Sequence, residues 1–465
     1  MKKRILLKLS AVALLAVSCS ESVMDTPEAV TGQSGKLILS QNEYASIYTP
    51  ASREISADEA IGIARSFAGQ TEPRKYARNG STRSVADKFY FQVPGKATKG
   101  VGGTTQDSIP LYKVQMGSAG IAIVSGDERA PKVLAYLPDA SEKSELNEYM
   151  LDLSKTSLLM DINRTDSLRE ALHTPTLEKI AEFAGQEKLS ETDLVRLQDE
   201  IVIEGKVQTR SQPVDMPTTT ILAQVGNYGH TQWDQEAPYN NKLPLGDAGF
   251  IGVTNYPAGC AVVAVAQALA CTFVQPAQTL SGVDLDWEYL TENPTMTSEL
   301  QGEPKRRIDM VGELFKDIYD NTKSQPVYEL IGGKEIVVSS VAKDKDILAY
   351  LKEIVQCSTL KNMEFNSEKL KYSLDDLSVA LVFGTNETKK EGHVWVIDGY
   401  LICKKGSREL VRVYDVYYHA LMGWSKTGGN DGYYLVNSDT KMDFETSYGT
   451  YPHSTLEMIF NIRNR

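Results

Sequence analysis

Cysteine and histidine are both scarce, with five of each among 465 residues. No two cysteines form a CxxC pair, and the four that follow Cys19 have no regular spacing: Cys260, Cys271, Cys357 and Cys403. This pattern argues against a zinc site and against a dense disulfide framework. The sequence leaves open whether the last three cysteines pair with one another, and at least one thiol is a candidate for chemistry.

Basic residues are fewer than acidic residues, 49 against 61, which gives a net charge of −12. Proteins bind DNA and RNA by neutralising phosphates with a surplus of Lys and Arg, so the charge balance excludes nucleic acid as a partner. Apolar residues make up 42% and charged residues 24% of the chain, as in an average globular protein. At roughly 150 residues per domain, the length predicts about three structural units.

The N-terminus has the layout of an export signal. Three basic residues precede an apolar run over residues 5–17, which is too short for a permanent transmembrane helix. Residues 16–19 resemble the lipobox of bacterial lipoproteins, with Ala16 where leucine is commoner. We therefore expect a signal peptide over 1–19, lipidation of Cys19, and a location outside the cytoplasm, either anchored to the bacterial envelope or secreted after processing. Ordinary secretion, with Cys19 left in a discarded peptide, is the alternative.

The rest of the chain divides into three parts by its pattern. Residues 20–150 combine a helix, opened by a capping box at Ser56–Glu59, with several short strand-like runs, which predicts a small α+β unit. Residues 151–210 are acidic and have helical periodicity, with Pro175 expected to separate helical segments, which predicts a helical connector. The stretch 206–218 is polar, basic and proline-containing, as expected of a protease-sensitive linker. Residues 211–465 hold all four tryptophans and predict one large domain.

Cys260 stands directly after Gly259, at the start of an Ala- and Val-rich segment that predicts a helix buried on nearly every side. The first turn of a helix has unpaired N–H groups and the positive end of the helix dipole. Both favour a thiolate and predict a lowered pKa for the cysteine, as a nucleophile needs. The alternative interpretation is a small core residue on an Ala-rich helix.

His393 lies near the start of a segment whose composition predicts a β-strand. An Asp-Gly turn at residues 398–399 is predicted to end that strand. A strand can hold an imidazole rigidly against a neighbouring helix, and none of the other four histidines has so regular a setting. By itself, a histidine in this position is more often a hydrogen-bonded structural side chain.

Three segments in order resemble the streptopain family of papain-like cysteine peptidases: 233–240, 259–267 and 392–399. Upstream of them, residues 120–131 resemble a strand and turn of that family's propeptide domain. Together the segments span most of the chain and keep the order of the family's parts, which makes the resemblance far more specific than any one motif.

The resemblance implies an α+β protein, in which a smaller α+β propeptide domain precedes a papain-like two-lobed peptidase domain. One lobe is helical and contains the Cys260 helix, and the other is β-rich and contains His393. The implied activity is that of a bacterial cysteine endopeptidase made as a zymogen. Its partners would be protein or peptide substrates and its own propeptide, which would act as an intramolecular inhibitor. No metal or organic cofactor is implied.

Site roles follow from the resemblance residue by residue. Cys260 would attack the peptide carbonyl as a thiolate, and His393 would pair with the thiolate and then protonate the leaving amine. Gln235 matches the glutamine of the oxyanion hole, which acts together with the backbone N–H of Cys260. Gly259 and Trp424 would bind substrate or shield the catalytic pair.

The sequence departs from the family pattern after His419. Leu421 stands where the family has an asparagine that orients the catalytic histidine, and Met422 replaces a tryptophan. A leucine side chain cannot accept the imidazole N–H, so either another group such as a backbone carbonyl orients the ring, or turnover is reduced. Two alternatives therefore stay open: a catalytically weak or inactive homologue that acts as a surface binding or inhibitory protein, and a Cys-His acyl transferase.

Overall fold

The computed structural model describes the following residues: 35–48, 54–74, 76, 84–93, 108–141, 144, 146–204, 220–247, 249, 252–274, 285–293, 295–296, 305–386, 391–404, 414–423, 430–436, 445–446, 449–450 and 455–465. Four of the sequence predictions lie outside these ranges: the signal peptide 1–19, the lipidation of Cys19, the linker 206–218 and the shielding residue Trp424.

Helices occur in both halves of the described chain: α1 (Gln41–Ile47), α2 (Ala57–Thr71), α3 (Glu148–Ala184), α4 (Glu191–Leu197), α5 (Cys260–Thr272), α6 (Trp287–Glu292), α7 (Lys305–Asn321), α8 (Asp344–Ile354) and α9 (Ser367–Asp375). The capping box expected at Ser56 is present, because the Ser56 side chain accepts from the Glu59 N–H and the Glu59 carboxylate accepts from the Ser56 N–H. This start signal depends only on local residues, which is why the sequence reveals it.

Strands occur along the whole described chain: β1 (Leu37–Leu39), β2 (Val85–Gln92), β3 (Ser108–Gln115), β4 (Ile121–Ser125), β5 (Val133–Leu137), β6 (Ile201–Ile203), β7 (Thr220–Gly226), β8 (Leu245–Asp247), β9 (Val253–Asn255), β10 (Gln325–Ile331), β11 (Lys334–Val341), β12 (Gln356–Ser358), β13 (Val379–Asn386), β14 (Glu391–Lys404), β15 (Tyr414–Leu421), β16 (Gly432–Leu435), β17 (Glu445–Thr446), β18 (Gly449–Thr450) and β19 (Thr455–Arg463).

One sheet of eleven strands crosses the boundary between residues 20–210, here called the N-terminal unit, and the large domain of residues 211–465. Ten strands follow the order β12-β19-β13-β14-β15-β16-β5-β4-β3-β2, and β7 pairs with β14 beside them. The two parts meet at β5 and β16, which pair antiparallel with Tyr136 opposite Tyr433 and Ala135 opposite Tyr434. The N-terminal unit is therefore joined to the large domain by main-chain hydrogen bonds as well as by side chains.

Two hydrophobic cores lie on the two faces of this sheet in the large domain. The alternation along β14 makes the division clear, because Trp395 and Ile397 belong to one core while Val394 and Val396 belong to the other. The first core also contains α2, β3 to β5 and the start of α3, and the second contains helices α5, α7 and α8. The α+β class is confirmed, with a helical lobe around α5 and a β-rich lobe around β14.

Helix α3 differs from its prediction in two ways. It runs without interruption through Pro175, at which the sequence was expected to separate helical segments. It also begins at Glu148, so the predicted boundary at residue 150 falls within its first turn. Leu153 and Leu158 are buried in the core shared by both parts of the protein. Beside the proline itself, Thr176 and Ile180 are buried, and such packing outweighs the single backbone hydrogen bond that a proline removes.

A buried ion network joins the N-terminal unit to the large domain. Lys132 donates from Nζ to Asp161 of α3 at 2.6 Å and to Asp415 of β15 at 3.2 Å. All three residues are buried, with at most 4% of each exposed. Removing charges from water costs several kcal/mol per ion, and only close pairing offsets that cost. The network therefore requires the N-terminal unit and the large domain to stay in this arrangement.

In the described ranges, no helix is both long enough and apolar enough to cross a membrane.

Candidate active site

Helix α5 begins at Cys260, as the sequence predicts, and ten of its thirteen residues are buried. The preceding residue, Gly259, has a φ of 84°, and a Cβ atom there would lie 2.1 Å from the Ser340 carbonyl oxygen. Only glycine fits this position, because both the backbone conformation and the close approach of β11 exclude a side chain. Gly259 thus determines how the chain enters the helix, and its predicted contact with substrate stays a prediction.

The Cys260 thiol lies against β14. Burial raises its pKa, and hydrogen bonds from the backbone N–H groups of Val394, Ala261 and Cys260 itself lower it by less. The net pKa is raised, so the predicted lowering is wrong for the chain in this arrangement. The N–H donors at the helix start are present as expected, but desolvation of the sulfur, which depends on distant residues, outweighs them.

His393 lies in β14 opposite Gly384 of β13, and only 7% of the residue is exposed. Its ring stacks on Trp395, two residues along the same face, with the ring centroids 5.9 Å apart. Burial lowers the pKa of His393 to about 3, and a hydrogen bond to the backbone of Met422 raises it by less. Since this bond favours the protonated ring, the Met422 carbonyl accepts a ring N–H.

The structure brings Cys260 and His393 to the same end of β14. The N–H group that reaches the Cys260 sulfur belongs to Val394, the residue after His393. Strand β15 pairs with β14 only from Val396 onward, so this end of β14 is left free for helix α5. With the thiol pKa raised and the imidazole pKa lowered, both groups are neutral near pH 7.

Gln235 is held close to the start of α5. Its carbonyl accepts from the N–H of Ala258, two residues before Cys260, at 2.8 Å. Its own N–H donates to the Asp234 carboxylate at 2.6 Å, and the residue is half-buried. The structure therefore brings three predicted residues, Gln235, Cys260 and His393, into one region, although they are distant in sequence.

A buried pair is formed by Asp398 of β14 and His419 of β15. The sequence analysis did not predict this pair. His419 Nδ1 and Asp398 Oδ1 are 2.6 Å apart, and the second carboxylate oxygen accepts from the Gly229 N–H. Burial is the largest single influence and lowers the pKa of His419, but Asp398, Asp431 and Glu72 together raise it by more, so the net pKa is raised. The expected Asp-Gly turn is wrong, because β14 continues through Gly399 with a register shift at this point.

Leu421 and Met422, which depart from the family pattern, both lie in the protein interior. The Leu421 side chain packs into the core around α5, so it is not directed at an imidazole hydrogen bond. Met422 donates its N–H to Asp431 Oδ1 at 2.6 Å, and its sulfur lies 3.3 Å from Asn147 Nδ2 of the N-terminal unit. Its carbonyl is the acceptor for the His393 ring. A backbone carbonyl therefore provides the acceptor that the leucine side chain lacks.

The remaining described cysteines are free thiols, and pairing among Cys271, Cys357 and Cys403 is not present. Cys357 lines a cavity of about 350 Å³ near the end of β19. In the part of the chain that the structure describes, no cluster of three or more His, Cys, Asp or Glu side chains could hold a metal ion.

Comparisons with known proteins agree with the motifs. Residues 233–434 match the model of the Peptidase C10 family, which confirms the resemblance to the streptopain family over that segment. No curated protein matches the sequence. Among solved structures, a mutant fragment of prointerpain A from Prevotella intermedia is similar at 16% identity, with a TM-score of 0.39, covering 82% of this chain and 100% of that one. Active interpain A cysteine protease from the same organism is 18% identical, with a TM-score of 0.33, covering 52% and 97%.

Proposed function

We propose that this chain, whose residues 233–434 match the Peptidase C10 family, is a cysteine endopeptidase made as a zymogen. The observation that carries the proposal is the position of Cys260, which starts a buried helix and lies against the main chain beside His393. A cysteine at a helix start and a histidine on a rigid strand are the two groups that thiol-dependent peptide hydrolysis needs.

The proposed reaction begins when the Cys260 thiolate attacks the carbonyl carbon of a peptide bond. The resulting oxyanion is stabilised by the Gln235 side-chain amide and the Cys260 backbone N–H. The His393 imidazolium then protonates the leaving amine, and the carbon–nitrogen bond breaks to give an acyl-enzyme. Water, deprotonated by His393, hydrolyses the thioester and regenerates the thiol. The Met422 carbonyl keeps the imidazole oriented through these steps.

The N-terminal unit is well placed to act as the inhibitor. Tyr149 of α3 stacks on Trp395 with the ring centroids 5.9 Å apart, on the strand face that carries His393. It occupies the space above Gly384, the residue opposite His393, since a Cβ atom on Gly384 would lie 2.7 Å from the Tyr149 ring. Asn147 also contacts Met422. Residues of the N-terminal unit therefore pack around the groups that hold the imidazole.

Burial gives a physical reason for latency. A thiol with a raised pKa and an imidazole with a pKa of about 3 do not form a thiolate–imidazolium pair at neutral pH. Removal of the N-terminal unit would take Tyr149 away from Trp395 and admit water to the strand face that carries His393, which raises the pKa of the imidazole. A protonated imidazole nearby would in turn lower the pKa of the thiol. The charged pair would then form at neutral pH, and activity would appear.

The proposed location is outside the cytoplasm, either on the bacterial envelope through a lipid on Cys19 or in the medium. The support for it is the order of basic residues, apolar run and cysteine within residues 1–19. Mass spectrometry of the mature protein checks this proposal, because an acylated N-terminal cysteine and an N-terminus further along the chain differ in mass.

The test of the function compares the intact full chain with the full chain that an added protease has cut within residues 206–218. After the protease is removed, the cut protein is assayed at dilutions at which the N-terminal fragment dissociates. We expect the cut protein to hydrolyse peptides and to react at Cys260 with an irreversible thiol reagent, while the intact chain does so far more slowly. A cut protein that neither hydrolyses peptides nor becomes labelled would favour a non-catalytic binding protein. Incorporation of amines into glutamine substrates would instead indicate an acyl transferase.

Replacing Gln235 by alanine is expected to lower kcat of the cut protein by about 100- to 1000-fold, the usual loss when one oxyanion-hole donor is removed. KM should change much less, because the amide contacts the oxyanion mainly in the transition state. Steady-state kinetics on a peptide substrate measure both. Gln232→Ala is the matched control, since Gln232 is exposed and its amide oxygen accepts from Thr295. Equal kinetics for the two variants would contradict the assignment of Gln235.

A further inference from the structure

Asp431 lies at the point where two neighbouring strands end. It directly precedes β16, and the last pair between β15 and β16 joins Ala420 to Gly432. Beyond that pair, the Met422 N–H donates to the Asp431 side chain at 2.6 Å. A side-chain carboxylate therefore holds the main chain of Met422 where the strand ladder has stopped.

The carbonyl of the same residue faces the proposed catalytic histidine. The backbone of Met422 hydrogen-bonds the His393 ring. An imidazole that donates one ring N–H to a carbonyl keeps its lone pair on the other nitrogen, so the acceptor determines the tautomer as well as the ring orientation. Any shift of Met422 would consequently be passed on to His393.

The next residue connects this peptide to the helix of the proposed nucleophile. Gly423 has a φ of 71°, and a Cβ atom there would lie 2.7 Å from Cγ1 of Val263. Val263 is on α5, three residues after Cys260 and so about one turn along the helix. The acceptor for His393 is therefore packed directly on the element that carries Cys260, which fixes the two groups relative to each other.

The surroundings of Asp431 allow it to be ionised at neutral pH. The pKa of Asp431 is raised to about 6, because burial raises it by more than the Met422 N–H and His419 lower it. Asp398 and Asp139 are the other charged groups that influence it, and both raise its pKa. An ionised carboxylate forms a shorter and stronger hydrogen bond to a backbone N–H than a neutral acceptor does.

We propose that Asp431 is a positioning residue of the peptidase, which holds the Met422 main chain so that its carbonyl orients His393 relative to Cys260. This inference rests on the proposed function and extends it. The main-chain carbonyl of Met422 would then accept the imidazole N–H, which the Leu421 side chain cannot do. Asp431 acts through Met422 and does not itself contact the reacting atoms.

The kinetic test uses Asp431→Ala and Asp431→Asn in the full chain cut within residues 206–218. Alanine removes the acceptor, whereas asparagine keeps an oxygen of similar reach. We expect alanine to lower kcat by about 10- to 100-fold with KM nearly unchanged, because a small displacement of a catalytic group has an effect of this size. Asparagine should restore kcat to within a few-fold of the wild type. Unchanged kcat in the alanine variant, or equal losses in both variants, would overturn the proposal.

A second measurement is independent of activity. In the intact full chain with Cys260→Ala, the ¹⁵N shifts of the His393 imidazole report its tautomer, and a His393→Gln spectrum provides the assignment. We expect a single tautomer when Asp431 is present or replaced by asparagine, and a mixture of the two tautomers in Asp431→Ala. If the cut wild-type protein has no activity, the proposed function fails, yet this spectrum still tests the positioning. An unchanged tautomer in the alanine variant overturns it.

Should Asp431→Ala not fold, Asp431→Ser serves in both measurements. Its hydroxyl is a shorter acceptor, so we expect a smaller fall in kcat and partial mixing of the tautomers. Wild-type kcat together with a single tautomer in the serine variant would overturn the proposal.

Discussion

Replacing Cys260 by alanine is expected to lower kcat/KM of the cut protein by at least about 10⁴-fold, because loss of the nucleophile leaves only binding and oxyanion stabilisation. The fold should survive this change. Alanine is a good helix former, and the conformation that starts α5 is determined by Gly259 rather than by the thiol. Hydrolysis of a peptide substrate, followed together with far-UV circular dichroism, separates lost chemistry from lost structure.

Cys357→Ala is the matched control for that experiment. Cys357 is also a free, partly buried thiol, but it lines the cavity near the end of β19 together with Lys352 and Arg463. We expect this variant to keep full activity and to lose at most the labelling that a general thiol reagent adds there. If Cys260→Ala retained activity while Cys357→Ala lost it, the assignment of the nucleophile would be wrong.

Replacing Lys132 by methionine is expected to destabilise the full chain by about 3 to 5 kcal/mol, since the buried carboxylates of Asp161 and Asp415 lose the cation that they share. One carboxylate belongs to α3 and the other to β15, so the loss falls on the contact between the N-terminal unit and the large domain. Denaturant unfolding of the Cys260→Ala full chain measures it without interference from self-cleavage.

The same substitution should change the behaviour of the cut protein. Strands β5 and β16 still pair after cleavage, so we expect the two fragments of the wild type to stay together in gel filtration. A loss of about 3 to 5 kcal/mol corresponds to about 10²- to 5 × 10³-fold weaker association, and Lys132→Met should therefore release the fragments at lower dilution. Lys316→Met, which removes an exposed pair with Asp320, should change little. Equal behaviour of the two variants would contradict a role for the buried network.

The proposed latency would have two separable sources. One is the packing of Tyr149 and Asn147 around the groups that hold His393. The other is the continuous sheet and the Lys132 network, which keep the N-terminal unit attached. A cut in the linker alone removes neither of them, so the appearance of activity should follow dissociation or digestion of the N-terminal unit. Activity that appears at once on cutting, while the fragments still co-elute, would show that attachment does not limit it.

Local signals in the sequence were sufficient for several features of the site. The glycine at 259 and the apolar run after it predict the start of α5 at the correct residue. The β-rich character around His393 predicts its strand, and the Ser56 capping box predicts the start of α2. Each of these depends on neighbours within a few positions, and for that reason a single sequence contains the information.

Features that depend on distant residues were missed or mistaken. The Asp398–Gly399 pair looks like a turn but continues β14, because Asp398 is held by His419 and Gly229 from other parts of the chain. The pKa of Cys260 is raised rather than lowered, since burial by other elements outweighs the effect of its own helix. Local propensity and helix dipoles are weak compared with desolvation in a folded interior.

The sequence by itself determined the order of parts, the helix that starts at Cys260, the strand that carries His393 and the peptidase motifs, because all of these are written in short runs of residues. Only the tertiary structure decided which group hydrogen-bonds the His393 imidazole, which charges lie between the two units and whether Cys260 and His393 are charged. Those properties are set by contacts between residues far apart in the chain, such as Asn147 with Met422 and Lys132 with Asp415. Burial and hydrogen bonding depend on which residues are neighbours in space, and for residues far apart in the chain only the folded structure determines this.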